Sequence, residues 1–292
     1  MRGKIIRAVG GFYFVWCYED SHIYQCRARG IFRKDSFKLL TGDDCSFRLT
    51  QAQDVEGYVE TIDKRRNQLI RPPVANVDQA LVVFALTSPE PNLSLLDRFL
   101  IEMRRQNIPS VICFNKKDLA DEERIRELAE VYSRCGCRVL TVSVLKRDGL
   151  EEIRNLMKGK TTVLAGPSGV GKSSLTNFLC PDARMEVGAL SERTERGKQT
   201  TRHAELFAIG DNTFFLDTPG FSSLELRGLK KEDVKNFFPE FDEHEPYCRF
   251  QGCMHIHEPE CGIKDAVEEG QISRARYDSY LQLVQELSNM RR

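Results

Sequence analysis

The sequence predicts an α/β protein in three regions, and three observations predict it. Between residues 79 and 225, strand-sized apolar runs alternate with amphipathic helical ones. That alternation builds a mostly parallel sheet covered on both faces. Ahead of it, five short alternating stretches crowd into residues 1–72, the density of a small barrel. Beyond residue 228 the texture changes to charged helices around a Cys/His knot.

The first region reads "KIIRAVG", "FYFVWCY", "IYQCRARG", "CSFRLTQ" and "VEGYVETID", with Gly10-Gly11, Gly42-Asp43-Asp44 and Asp63-Lys64 as turns. An OB-like or SH3-like barrel over 1–72 is expected. Arg27, Arg29, Arg33, Lys34, Lys64, Arg65, Arg66 and Arg71 contribute to a local excess of 13 Lys/Arg over 9 Asp/Glu. With Tyr13, Trp16, Tyr18 and Tyr24 nearby, that surface suits RNA; a solvated barrel face is the competing reading. "RPPVANVD" at 71–78 then breaks the pattern with two prolines that neither helix nor central strand accepts.

In the second region, 73–227, "QALVVFAL" is a strand, "LSLLDRFLIEMRRQN" a helix and "SVICFN" a strand. "EERIRELAEVYSRCG" and "RVLTVSV" repeat the alternation, and a short helix at 149–158 precedes "KTTVLAG", "GKSSLTNFL" and "NTFFLD". The third region, 228–292, ends in the helix "ISRARYDSYLQLVQELSNM".

Composition narrows the function classes. The 292 residues carry zero net charge, so a nucleic-acid partner must be met by a local patch rather than a global field. The start "MRGKIIRAVGGFYF" lacks the apolar core of a signal peptide, and "ALVVFAL" is too short to span a bilayer. No membrane association is expected, and the ten cysteines then belong to a reducing, cytoplasmic compartment where clustered Cys means metal.

Gly166-Pro167-Ser168-Gly169-Val170-Gly171-Lys172-Ser173-Ser174 follows a strand and opens a helix, the context a phosphate-binding loop needs. Its glycines let backbone N–H groups curl around phosphates, Lys172 reaches the β/γ oxygens, and the Ser173 hydroxyl is placed to ligate Mg²⁺. Downstream, "FFLDTPG" puts Asp217 at a strand end, suited to hold Mg²⁺ through water, with the Gly220 N–H available to a γ-phosphate. Between them, "ERTERGKQTTRHAEL" is a candidate mobile loop whose Thr200 or Thr201 closes over Mg²⁺; the residues do not say which.

Asn115-Lys116-Lys117-Asp118 follows the strand "SVICF". A carboxylate there matches the N1–H and N2–H₂ donors of guanine, which adenine lacks. Asn115 is expected to bond N7 and tie the loop, the Lys116 stem to lie over the ring, and the Ser143 backbone N–H to meet O6. The order is base reader, Ser143, phosphate loop, threonines, Asp217. That is a Ras-like GTPase domain cut and rejoined: in parallel sheets ligands bind outside the strand carboxyl ends, and circular permutation leaves every such end in place. It also makes the Asp217–Gly220 strand end feed directly into the C-terminal region.

Cys248-x4-Cys253-x-His255-x5-Cys261 is a Cys₃His set suited to one structural Zn²⁺, with His257 a competing ligand that spacing leaves open. Cys135 and Cys137 read as core thiols.

The permuted order, "RPPVANVDQ", "NKKDL", "GPSGVGKSSL", "TTRH", "DTPGF" and the Cys/His knot together resemble the ribosome small-subunit-dependent GTPase A family over essentially the whole chain. The resemblance implies an OB-fold, a permuted GTPase domain and a zinc domain. It further implies late assembly work on the bacterial 30S subunit with its 16S rRNA, as a monomer, with GTP hydrolysis stimulated by the particle. The family pattern favours His255 as the fourth zinc ligand. It would also place a histidine just before the two threonines, where this chain has Gln199. Phe221 follows Gly220, where small GTPases carry a water-orienting glutamine, so Gln199 is expected to orient water once a partner orders the loop, with slow turnover alone or a different helper, His203 being nearby, as the other readings. The alternative function is a GTP-gated rRNA-binding scaffold with negligible intrinsic hydrolysis.

Overall fold

The computed structural model describes residues 1–30, 32, 38–50, 56–70, 72–181, 204–217, 224, 226 and 228–289. Gln199, Thr200, Thr201, His203, Gly220 and Phe221 lie outside the described residues.

Strands β1 (Arg2–Val9), β2 (Phe12–Cys17), β3 (Ile23–Ala28), β4 (Asp44–Leu49) and β5 (Gly57–Ile62) close a barrel in the order β1-β2-β3-β5-β4. The pairs are antiparallel except β3 with β5, which run parallel. Its interior is a separate small core of Ile5, Val15, Cys17, Cys26, Leu39, Cys45, Phe47 and Val59. Alternate strand positions supply it, as period-two side chains must.

After a short ribbon of β6 (Gln68–Leu69) with β7 (Val74–Ala75), the central sheet takes the order β10-β9-β8-β11-β13-β12. Its strands are β8 (Gln79–Ala85), β9 (Ser110–Asn115), β10 (Arg138–Thr141), β11 (Thr161–Ala165), β12 (Phe207–Ala208) and β13 (Phe214–Asp217). All run parallel except β12 at the edge. The helices of this region are α1 (Leu93–Arg105), α2 (Glu122–Val131), α3 (Leu150–Met157) and α4 (Lys172–Leu179). Every residue of β8 is buried. Val82 and Phe84 face a core shared with Phe99 of α1 and Leu128 of α2, while Leu81 and Val83 face Ile153 of α3 and Leu175 of α4. The unbroken apolar run is therefore a strand covered twice.

The barrel is fixed to the outer edge of this sheet. Leu206 N–H donates to the Ile6 carbonyl (2.8 Å), Trp16 Nε1 to Asn212 Oδ1 (3.1 Å), and the Trp16 ring meets Phe214 edge-on. At the other end, short 3₁₀ turns lead to α5 (Gly262–Glu268) and α6 (Arg274–Asn289) around a core of Val234, Phe238, Phe241, Ile263, Tyr280 and Leu283. Ile101 of α1 joins that core. The seam is closed by a buried ionic triad: Arg276 of α6 donates through Nε to Glu240 Oε1 (2.6 Å) and through Nη1 to Asp97 of α1. Arg98 of α1 pairs in turn with Glu286 of α6.

Candidate nucleotide pocket and metal centre

Parallel register brings five strand ends to one edge of the sheet. Ala85 pairs with Asn115, Phe114 with Thr141, and Leu164 with Asp217, and β11 runs out into the phosphate loop. Segments far apart in sequence thus meet along one edge of the sheet.

Gly166 leaves β11 with φ +143°, and a Cβ there would lie 2.1 Å from the Val83 carbonyl oxygen. Only glycine lets the loop pass over β8 so closely. Gly171 (φ +98°) opens α4 at its N-terminus, and a Cβ there would sit 2.2 Å from Asn115 Nδ2. Lys172 is buried and folds back on its own loop, donating to the carbonyls of Gly166 (2.9 Å) and Pro167 (2.6 Å). Burial holds its pKa below the ordinary lysine value, with Asp217 pulling the other way. Burial pushes the Asp217 carboxyl up to about 6, with Lys172 opposing. Asp217 Oδ1 is buried without a hydrogen-bond partner. A desolvated carboxylate oxygen beside a phosphate loop fits a hydrated divalent cation, which would satisfy it. Ser168 and Gly169 form the exposed crest of the loop, and Ser173 and Ser174 continue into α4.

Asn115 ties the two halves together. Nδ2 donates to the Val170 carbonyl (2.8 Å) in the phosphate loop, and Oδ1 accepts from Val144 N–H (3.1 Å) after β10. Lys116 is left-handed (φ 63°), and its ammonium is held by the Ser88 carbonyl. Lys117 turns aside to Asp148 (2.8 Å). Asp118 is exposed and accepts a hydrogen bond from the buried Ser143 hydroxyl.

The expected Ser143 role changes. Its N–H donates to the Asp148 carbonyl (3.0 Å), closing an antiparallel bridge with that residue, so the amide is committed within its own turn. The hydroxyl acts instead, aiming Asp118 while accepting from Lys146 N–H (3.0 Å). This contact was missed because an O–H to a carboxylate two loops away leaves no periodic trace in the sequence.

Cys248, Cys253, His255 and Cys261 present ligand atoms all within 4.8 Å of one another. Sγ of Cys261 is 3.9 Å from each of the other two sulfurs, and His255 Nδ1 is 3.4–3.5 Å from Cys261 and Cys248. A tetrahedral zinc with its usual bond lengths separates sulfur ligands by about 3.8 Å, so the spacing fits. Burial pushes the Cys253 thiol up to about 12 and keeps the His255 imidazole neutral by lowering its pKa. Such a nest of desolvated thiols is the donor set a soft cation converts to thiolates. His255 Nε2 points toward Glu245 (3.9 Å), itself held by Lys235, while Tyr277 and Tyr280 hydroxyls donate to the carbonyls of His255 and Met254 (2.6 Å each). His257 is exposed and outside the cluster.

Residues 62–227 match the family model described as RsgA GTPase, and residues 2–59 match that of the RsgA N-terminal domain. The chain belongs to the RsgA GTPase family. Among curated RsgA relatives, the "Small ribosomal subunit biogenesis GTPase RsgA" of Agathobacter rectalis is 49% identical, with 99% of each chain covered. That of Alkaliphilus metalliredigens is 44% identical, covering 100% of this chain and 99% of the relative. Among solved structures, YloQ, a circularly permuted GTPase, is 39% identical at a TM-score of 0.80, covering 99% of this chain and 95% of that one. YjeQ from Thermotoga maritima is 34% identical at 0.83, covering 98% of both. The strand order and motif order of this RsgA GTPase are those of a circularly permuted domain beside a closed five-stranded barrel.

Proposed function

We propose that this GTPase binds GTP across the sheet edge, hydrolyses it, and serves late maturation of the small ribosomal subunit. The observation that supports this reading is the Asn115 side chain, which ties the 115–118 loop to the 166–174 loop and to the turn after β10. Asp118, aimed by Ser143, reads the base edge, and the Lys116 stem covers its face. Backbone N–H groups of 166–174 and Lys172 bind the phosphates, Lys172 exchanging its loop carbonyls for phosphate oxygens. Ser173 and Asp217 would hold Mg²⁺, with Thr200 or Thr201, and the cation would supply charge neutralisation to the bound phosphates. Gly220 is assigned to the γ-phosphate and Gln199 to orienting water.

The division of labour follows the regions: 1–72 meets 16S rRNA, 73–227 handles the nucleotide, and 228–292 is organised by one structural Zn²⁺. On the barrel, exposed Arg27 stacks over Phe12, a cation beside a ring of the kind that suits RNA. Among the described residues no helix is long and apolar enough to cross a membrane. The protein is assigned as a cytoplasmic monomer.

Single-turnover hydrolysis with and without purified small subunits tests this reading. Stimulation by the particle, abolished in Gln199→Ala, is expected. Unchanged turnover in the presence of the particle would overturn the assembly role, and unchanged stimulation in Gln199→Ala would overturn the role given to that side chain.

A further inference from the structure

Tyr13, Trp16, Tyr18 and Tyr24 stand near the arginines of the first region in sequence, but the fold commits all four rings. Tyr13 and Tyr24 pack on the barrel interior, and Trp16 and Tyr18 pack against the central-sheet core. Arg65 and Arg66 are likewise tied down, to Asp43 (2.7 Å) and Asp78 (2.6 Å). What the barrel turns outward instead is a row set by strand register. Phe12 of β2 lies opposite Arg27 of β3, Arg27 opposite Tyr58 of β5, and Tyr58 opposite Arg48 of β4. Their chain neighbours Tyr13, Cys26, Val59 and Phe47 supply or pack on the interior, so the row belongs to the outer face.

Ring and guanidinium alternate along this row, one residue per strand. Arg27 and Arg48 are exposed, and Phe12 and Tyr58 are half-buried without joining any apolar core among the described residues. The Arg27 guanidinium lies 4.8 Å from the Phe12 ring centroid. Neighbouring strands are about 4.8 Å apart, so Phe12 and Tyr58 stand about 10 Å from each other across β3. Val9, 40% exposed, faces Phe12 from β1 and lengthens the apolar end of the row.

We propose that this row binds the unpaired bases of single-stranded RNA, a refinement that rests on the RNA role given to the barrel above. Rings set between cations offer flat faces on which bases stack, and the guanidinium groups add stacking and attraction for phosphate. A duplex keeps its base faces inside and meets only the charge. Every base has a π-face, so the row reads the absence of pairing rather than sequence. The barrel thereby distinguishes unpaired rRNA from rRNA already folded into helix.

Zinc-loaded full-length protein is titrated, by fluorescence anisotropy over a range of salt, against a labelled RNA dodecamer without self-complementarity. The same strand annealed to its complement is the control. The single strand is expected to bind at least about tenfold tighter, although the duplex carries the denser charge. Phe12→Leu and Tyr58→Leu should each weaken the single strand by about fivefold or more at an unchanged salt slope. Tyr58→Phe, which keeps the ring, should bind as the parent does, and Arg48→Gln should lower the salt slope by about 0.7. Equal affinity for strand and duplex, or Tyr58→Leu indistinguishable from Tyr58→Phe, overturns the proposal. The parent comparison needs no variant, so it decides even where a leucine variant folds poorly. Tyr58→Leu that binds RNA normally but associates poorly with small ribosomal subunits assigns the row to a protein component, which also overturns it. Particle-stimulated GTP hydrolysis keeps the two readings apart. Its absence in the parent, with the strand preference intact, removes the assembly role; its presence without that preference removes the row.

Discussion

Replacing Arg276 by methionine isolates the seam between α1 and the C-terminal core. The guanidinium is 3% exposed, and the carboxylates of Asp97 and Glu240 are 1% and 4% exposed. Methionine keeps an aliphatic stem to lie against Phe238 and Tyr132, which the guanidinium now covers. What is lost is the only charge offsetting two desolvated carboxylates among the described contacts of this triad. Removing one partner of a buried ion pair destabilises by about 3–5 kcal/mol. At about 1.4 kcal/mol per tenfold, the seam should open roughly two to three and a half orders of magnitude more often. Hydrogen exchange of α1 and α6 amides reads that directly, with urea denaturation as a second measure. Burial already raises the Asp97 pKa, with Arg276 pulling it down. A raised native value means the folded state takes up a proton more readily than the unfolded one. The deficit of Arg276→Met should therefore shrink as pH falls through that raised value and grow above it. Adding Asp97→Leu and Glu240→Leu should restore most of the loss, since an all-apolar triad has no charge to bury. A loss under about 1 kcal/mol in Arg276→Met, or a triple variant no better than the single, would refute the reasoning.

The remaining expectations concern the two sites. Asp118→Asn should weaken GTP binding by about 100-fold or more while leaving ATP binding equally poor, measured by nucleotide titration. Ser143→Ala leaves Asp118 unaimed and should cost about 1–2 kcal/mol of GTP affinity in the same titration, with the melting temperature little changed. Gly171→Ala forces a Cβ against Asn115 Nδ2 and should abolish nucleotide binding without unfolding the barrel, as near-ultraviolet dichroism of Trp16 would report. Prolonged chelation, or Cys261→Ser, should release one zinc per chain and expose the Tyr277 and Tyr280 hydroxyls, followed by metal analysis and tyrosine fluorescence.

Much of this was legible because periodicity and motif context agree. β8 reads as a strand buried on both faces since all its positions are apolar or small apart from Gln79, and the phosphate loop sits between a strand and a helix as its chemistry requires. Geometry with no periodic signature was not legible. Arg276 sits in a helix of mixed charge, where an arginine reads as solvated; only the packing of α6 on α1 buries it. Spacing alone left His255 and His257 open and only the family pattern favoured His255, which lies in the cluster with a left-handed backbone (φ 56°) while His257 is exposed outside it. Ser143 does lie beside Asp118, but its amide was assigned to a ligand, whereas in the structure it is bonded to the Asp148 carbonyl. Spacing reports which residues share a strand end, not which of their atoms remain free.

The bridge at Asn115 also sets a timetable for folding. Its partners, Val144 and Val170, both follow it in the chain, the farther by 55 residues. As the polypeptide leaves the ribosome, the base-reading loop emerges first and must wait for β11 and the phosphate loop before its amide has anywhere to bond. A nascent chain that ends short of Val170 has the 115–118 loop without the partner its Asn115 amide bonds in the folded protein. On the function proposed above, GTP would bind only once the central sheet has closed, and would then consolidate it.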